Sequence, residues 1–281
     1  NRLTQQAEIR LQDSGEWQRM TDTIENSLWR AMQKEGINAD LSRLRTLLTS
    51  DFVPEYHPLV DYLNTLPPWD GTSDPIGKLA AMVHTTDNSP KKFASYFRRW
   101  LVGMLASALD ERTVNHVIFV LIGRQGSYKT SFMQNLLPPC LRRYFTTKTN
   151  SQRLGKDDLL TLSEFLLVNF EEIDSMQRSE LNQLKAMTTT LYVNERPAYG
   201  RNKVHLPHVA SFCATGNNPL FLTDDTGNRR WLVFEVVDID NPWEHPIEHD
   251  AVYAQAKALL DSGFRYWFQG EEINELNRHN R

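Results

Sequence analysis

Residues 116–131 read HVIFVLIGRQGSYKTS, and this stretch restricts the fold more than any other. Residues 117–122 are continuously apolar and rich in β-branched side chains, with no polar alternation, so the run predicts a strand buried on both faces. Gly123 ends it. SFMQNLLPPC behind it predicts a helix stopped by Pro138 and Pro139. Three further runs share the texture: FLLVNFEE (165–172), HVASFCATGN (208–217) and RRWLVFEVVDI (229–239). Apolar strands separated by helical or irregular stretches predict an α/β core around a parallel sheet.

The loop after the first strand follows the phosphate-binding pattern of Gly, four residues, Gly, Lys, Ser/Thr, with one departure: Tyr128 stands where the second glycine belongs. In such a loop, backbone N–H groups turn inward around phosphate oxygens and the following helix starts there. Gly123, Gly126, Ser127, Lys129, Thr130 and Ser131 are the candidate nucleotide-binding residues. Lys129 would reach the terminal phosphates of ATP, and the Thr130 hydroxyl would ligate Mg²⁺. Taken alone, the segment also fits an ordinary strand–turn–helix.

The second strand ends in Glu171 and Glu172, followed by Ile173 and Asp174. Carboxylates at the end of a buried strand are costly unless exposed or used, and an open parallel sheet binds ligands at that end. Glu171 is expected to hold the Mg²⁺ hydration shell, and Glu172 to orient and deprotonate the attacking water. The third strand ends near Asn217, an amide suited to the γ-phosphate or that water, although an Asn-Pro turn explains it as well. Arg229 and Arg230 precede the fourth strand. Either is a candidate finger toward a neighbouring subunit's site, or part of a surface Asp/Arg cluster. Between the acids and the third strand, TLYVNE and KVHLP predict a hairpin carrying Arg196, Tyr199, Arg201, Lys203 and His205, a set suited to nucleic-acid phosphates and base stacking.

Helical spacing dominates the first 109 residues. DTIENSLWRAMQKEG, NADLSRLRTLLTSDF, HPLVDYLNTL and residues 90–109 each place apolar side chains on one stripe, with a connector at about 66–77. We therefore expect a helical N-terminal region over 1–109 and a core over 110–281. Another helix is expected from Asp250, broken near Gly263. Two cysteines exclude a four-thiolate zinc site and a disulfide framework, and no apolar run is long enough for a membrane span. A soluble, cytoplasmic protein is expected. The net charge of −4 argues against a generally basic nucleic-acid coat, not against a local basic site. No zinc-hydrolase His pair or nucleophile elbow is present. The start at Asn1 and the end at Arg281 read as a piece of a longer protein.

The order of these parts resembles the virulence-associated E (VapE) family, ATPases of mobile elements and prophages related to superfamily-3 and poxvirus-type primase-helicases. HPLVDYLNTLPPWDG, HVIFVLIGRQGSYKTS, LVNFEE, LKAMTTTLYVNERPAYGR and ATGNNPLFLTDDTGNRRW carry the resemblance, the last two most specifically. It implies an AAA+-like core preceded by a helical segment, ATP and Mg²⁺ as cofactors, and a homo-hexameric ring. Its central channel would hold single-stranded DNA against the hairpins, and a primase domain or partner would lie outside this chain. The function expected is a replicative DNA helicase of a mobile genetic element. The competing expectation is an ATP-regulated oligomeric loader or switch that does not translocate, which would have no need of the basic hairpin.

Overall fold

The structure is a computed structural model and describes all residues except 5, 11–16, 87–88, 150–155, 196–203, 219–227 and 281. The chain divides into two compact units, Asn1–Asp61 and Tyr62–Arg281.

In the first unit, β1 (Glu8–Arg10) and β2 (Trp17–Arg19) pair antiparallel, followed by α1 (Asp22–Lys34) and α2 (Leu41–Leu48). Both helices start on a side-chain cap. Thr21 accepts from the Ile24 amide and Asp40 from the Arg43 amide, satisfying N–H groups that lack helical partners. An Arg45–Glu25 ion pair at 2.7 Å ties the helices together. The expected helical region therefore opens with a hairpin. Its three-residue strands are mostly polar and carry no readable period.

The second unit holds a six-stranded sheet. Its members are β3 (Val83–Thr85), β4 (Ile118–Ile122), β5 (Phe145–Lys148), β6 (Leu167–Phe170), β9 (Ser211–Gly216) and β10 (Trp231–Ile239). Their spatial order is β3-β10-β4-β9-β6-β5. Only β3 runs antiparallel, on the outer edge of β10; the other neighbours are parallel. Numbered in chain order, the five parallel strands lie 5-1-4-3-2. A separate two-stranded hairpin, β7 (Tyr192–Glu195) with β8 (Val204–Pro207), forms where the sequence predicts it.

Helix α5 (Pro90–Leu109) lies in the same unit as the sheet. Phe93, Phe97 and Trp100 pack around Phe119 of β4 at centroid distances of 5.9, 5.4 and 5.0 Å. The Trp100 indole N–H donates to the Phe212 carbonyl of β9 at 3.1 Å. All four rings are essentially fully buried, each contributing on the order of 2–3 kcal/mol. The boundary expected at 109/110 thus falls at 61/62, because the apolar face of α5 covers the sheet.

The expected connector at 66–77 ends early, in α4 (Pro75–Ala81). Asp74 caps its start and also bonds Arg98 and Gln255. The remaining helices are α3 (Pro58–Thr65), α6 (Lys129–Asn135), α7 (Lys156–Glu164), α8 (Arg178–Met187), α9 (His249–Asp261) and α10 (Glu271–His279). Helix α9 ends at Asp261, two residues before Gly263.

Candidate functional site

Parallel pairing brings the predicted residues to one sheet edge. Ile122 lies opposite Gly216, and Phe170 opposite Ala214. The ends of β4 and β9 are therefore level, β6 ends two residues short of them, and the segments leaving all three meet. They line a cleft of about 470 Å³ with Gly126, Ser127, Lys129, Thr130, Ser131, Glu171, Glu172 and Asn217 among its walls. Gly123, at the exit of β4, donates its N–H to the Gly216 carbonyl at 3.1 Å and so couples the loop to β9.

Lys129 is 7% exposed, and its ammonium donates to the Gly123 and Arg124 carbonyls at 2.8 and 2.7 Å and to Ser127 Oγ at 3.2 Å. These bonds hold the cation inside the loop. Burial lowers its pKa from the ordinary lysine value, while the negative charge of Asp174 acts in the opposite direction.

The loop closes without its second glycine. Tyr128 takes φ 57° and ψ 14°, in the left-handed region. Glu172 does the same at φ 52° and ψ 44°. Among the described residues these are the only two non-glycine residues with positive φ, and both line the cleft. Left-handed backbone costs an L side chain roughly 1–2 kcal/mol, and such outliers cluster at functional sites. Gly126, at φ 85°, meets the same demand without a Cβ penalty.

Three contributors escaped the sequence reading. Asp174 accepts the Asn217 and Asn218 amides on separate carboxylate oxygens, at 3.1 and 3.2 Å. It thereby fixes the chain leaving β9. Gly216 makes room for it, since a Cβ there would lie 2.6 Å from Asp174 Oδ1. Gln125 and Trp243 also line the cleft. An acid following Glu171 and Glu172 was visible in the sequence, but its partners lie just beyond the end of β9. Trp243 gave no signal, because it sits on a turn after β10 with no motif around it.

Arg229 and Arg230 lie at the opposite end of the strands. Trp231 begins β10 level with Ile118, the first residue of β4. The arginines and the phosphate loop are thus about six residues apart along the strands, roughly 20 Å. They line a second cleft of about 540 Å³ with Arg112, Leu191 and Trp267. Burial, then the charge of Arg229, lowers the pKa of Arg230. The structure does not bring these arginines to their own chain's phosphate loop.

Of the hairpin set, Arg196, Tyr199, Arg201 and Lys203 lie outside the described residues. His205 is exposed on β8, stacked on Tyr192 at 4.3 Å and hydrogen-bonded through Nδ1 to Asn194 Oδ1 at 2.6 Å.

A parallel sheet in the order 5-1-4-3-2, flanked by helices and carrying a phosphate-loop motif after its first strand, defines an α/β fold of the AAA+-like class. The chain belongs to the virulence-associated protein E-like domain family, which matches residues 63–281. No curated protein matches it. Among solved structures it is similar to the apo structure of the NrS-1 C-terminal region (305–718). The TM-score is 0.58 at 16% identity, covering 98% of this chain and 69% of that one. An A-form apo structure of the same region aligns at a TM-score of 0.47 and 16% identity, covering 78% of this chain and 54% of that one. At this identity the first of these likenesses shows a shared fold. Among the described residues no helix is long and apolar enough to cross a membrane.

Proposed function

We propose that the protein is an ATP-driven nucleic-acid motor, a ring-forming replicative DNA helicase of a mobile genetic element that moves along single-stranded DNA. The observation carrying this reading is the meeting, in one cleft, of a phosphate-loop lysine and hydroxyl with two carboxylates and an asparagine from neighbouring strands. In this reading Gly123, Gly126, Ser127 and Ser131 cradle phosphates, and Lys129 exchanges its loop carbonyls for phosphate oxygens. Glu172 takes the proton of the attacking water, and Asn217 aligns that water with the γ-phosphate.

The donor set suits a hard cation. The Thr130 hydroxyl and the Glu171 carboxylate offer oxygen ligands, and among the described residues no group of three or more His, Cys, Asp or Glu side chains is placed to hold a metal ion by itself. Mg²⁺ fits such a place, because it binds through one or two protein oxygens and keeps waters and phosphates as its other ligands. When bound it would neutralise charge on the phosphate oxygens.

In this reading the subunits form a homo-hexameric ring, and the arginines fit a site shared between neighbours. Arg229 or Arg230 cannot serve its own chain's cleft across roughly 20 Å of strand, but can face a neighbour's. Arg196, Tyr199, Arg201, Lys203 and His205 would hold DNA by its phosphates, without reading sequence.

The test is ATP hydrolysis with and without single-stranded DNA, alongside native mass. We expect hydrolysis stimulated by DNA, abolished in Lys129→Ala, and an assembly larger than a dimer. In Arg201→Ala/Lys203→Ala, basal hydrolysis should survive while DNA stimulation and strand separation fall together. Normal unwinding by that double variant would remove the hairpin as the DNA contact, whereas a parent protein that hydrolyses ATP without DNA stimulation or unwinding would remove the motor reading and leave an oligomeric ATP-binding module.

A further inference from the structure

Trp243 is 70% exposed, although it is a large aromatic side chain on a short turn. It lines the cleft that holds Lys129 and Thr130. Its position follows from topology. Strand β10 runs beside β4 in the same direction, so the turn after β10 emerges at the sheet edge where the phosphate loop emerges from β4. Tyr128, itself in a left-handed conformation, meets Trp243 edge to face, with centroids 5.7 Å apart and planes at 70°. The two rings thus form a steep corner beside the phosphate loop. An exposed indole costs solubility and packs nothing in the core, so the corner calls for a ligand.

We propose that Trp243, braced by Tyr128, is the surface on which the nucleobase of the bound nucleotide stacks. This rests on the nucleotide-site reading and adds how the base is recognised. An aromatic face attracts any base through its π surface and selects by stacking area rather than by hydrogen-bond pattern. The side chains lining the cleft that are suited to phosphate and cation, Lys129, Thr130, Glu171 and Glu172, belong to the loop and the β6 exit. Purine nucleotides should therefore be preferred over pyrimidine nucleotides, with little discrimination between adenine and guanine. Tyr128 explains itself in the same way: its ring props the indole, which a glycine could not do.

The test compares binding of MgATP, MgGTP, MgCTP and magnesium tripolyphosphate by titration calorimetry. The proteins are the parent, Trp243→Ala and Trp243→Phe, each checked for parental thermal unfolding and native mass. Loss of one base-stacking contact corresponds to a weakening of roughly 5- to 150-fold. We expect Trp243→Ala to lose about that much affinity for MgATP and MgGTP, Trp243→Phe to recover most of it, and tripolyphosphate to bind all three proteins alike. The parent should bind MgCTP more weakly than either purine nucleotide. Parental purine affinity in Trp243→Ala would overturn the proposal, with or without a change in assembly. So would an equal loss of nucleotide and tripolyphosphate binding. If the parent binds neither nucleotide nor tripolyphosphate, the nucleotide-site reading fails first and the stacking proposal falls with it.

Discussion

Replacing Asp174 by Asn tests whether the Asn217 segment is held in place from outside the phosphate loop. The aspartate accepts one amide on each oxygen, from Asn217 at 3.1 Å and Asn218 at 3.2 Å. An asparagine keeps one acceptor and sets an NH₂ donor against the other amide. One bond is lost outright and the other loses its charge assistance. Hydrogen bonds to charged groups are worth about 1.5–3 kcal/mol, but Asn217 and Asn218 are exposed enough for water to replace part of the loss. The net destabilisation should be about 1–2 kcal/mol, a fall in Tm of roughly 2–8 °C for a domain of this size. No residue of the phosphate loop is replaced, and burial rather than the charge of Asp174 is the larger influence on Lys129, so nucleotide affinity should stay close to parental. Hydrolysis should drop about tenfold, the equivalent of about 1.4 kcal/mol of lost alignment. Differential scanning fluorimetry, nucleotide titration and a steady-state ATPase assay read the three quantities. Parental Tm with parental turnover would refute the reasoning, since the two amides would then need no anchor. Loss of nucleotide binding alongside turnover would show that Asp174 acts through Lys129 instead.

Glu172→Gln should bind ATP as the parent does while turnover falls by about 10²- to 10⁴-fold; parental turnover would remove Glu172 as the base. Arg230→Ala should be inactive yet bind nucleotide, and mixing it with Lys129→Ala should restore partial activity in co-assembled rings, a result that a wholly intrachain site cannot give. His208 is fully buried with Nδ1 against the Thr190 carbonyl at 2.7 Å, and burial lowers its pKa to about 4. The unfolded chain takes up the proton near pH 6.5 while the folded chain resists it. Stability should therefore be full above about pH 6.5 and decline by about 3 kcal/mol as the pH falls toward 4. Denaturant midpoints across this range should lose that slope in His208→Phe.

The strands that build the site were legible because all but β10 are buried on both faces. β4 is a continuous apolar run, β6 and β9 are buried along their whole length with few polar residues, and β10 opens on the apolar run WLVF. β5 was not legible: it is an edge strand, FTTK, only half-buried along its length. The capping box of α8, Gln177 with Glu180, is not legible in the sequence, because the pattern has Ser or Thr at the cap. Helix α5 was found, but its attachment to the sheet was not, because periodicity reports an apolar face and not what the face touches. The same limit separates Lys129 and Glu172 from Asp174. The first two sit in local patterns, whereas Asp174 matters only through amides about forty residues away. Tyr128 was legible as a departure from pattern, and its left-handed backbone was not.

The two left-handed residues also fix how this protein would respond to laboratory evolution. A library selected only for heat resistance should collect glycine or asparagine at positions 128 and 172, since each relieves up to about 1 kcal/mol of backbone strain. Those same clones would lose the aromatic prop and the carboxylate from the cleft. Robustness and turnover therefore pull in opposite directions at two codons, a trade between stability and activity written into the main chain.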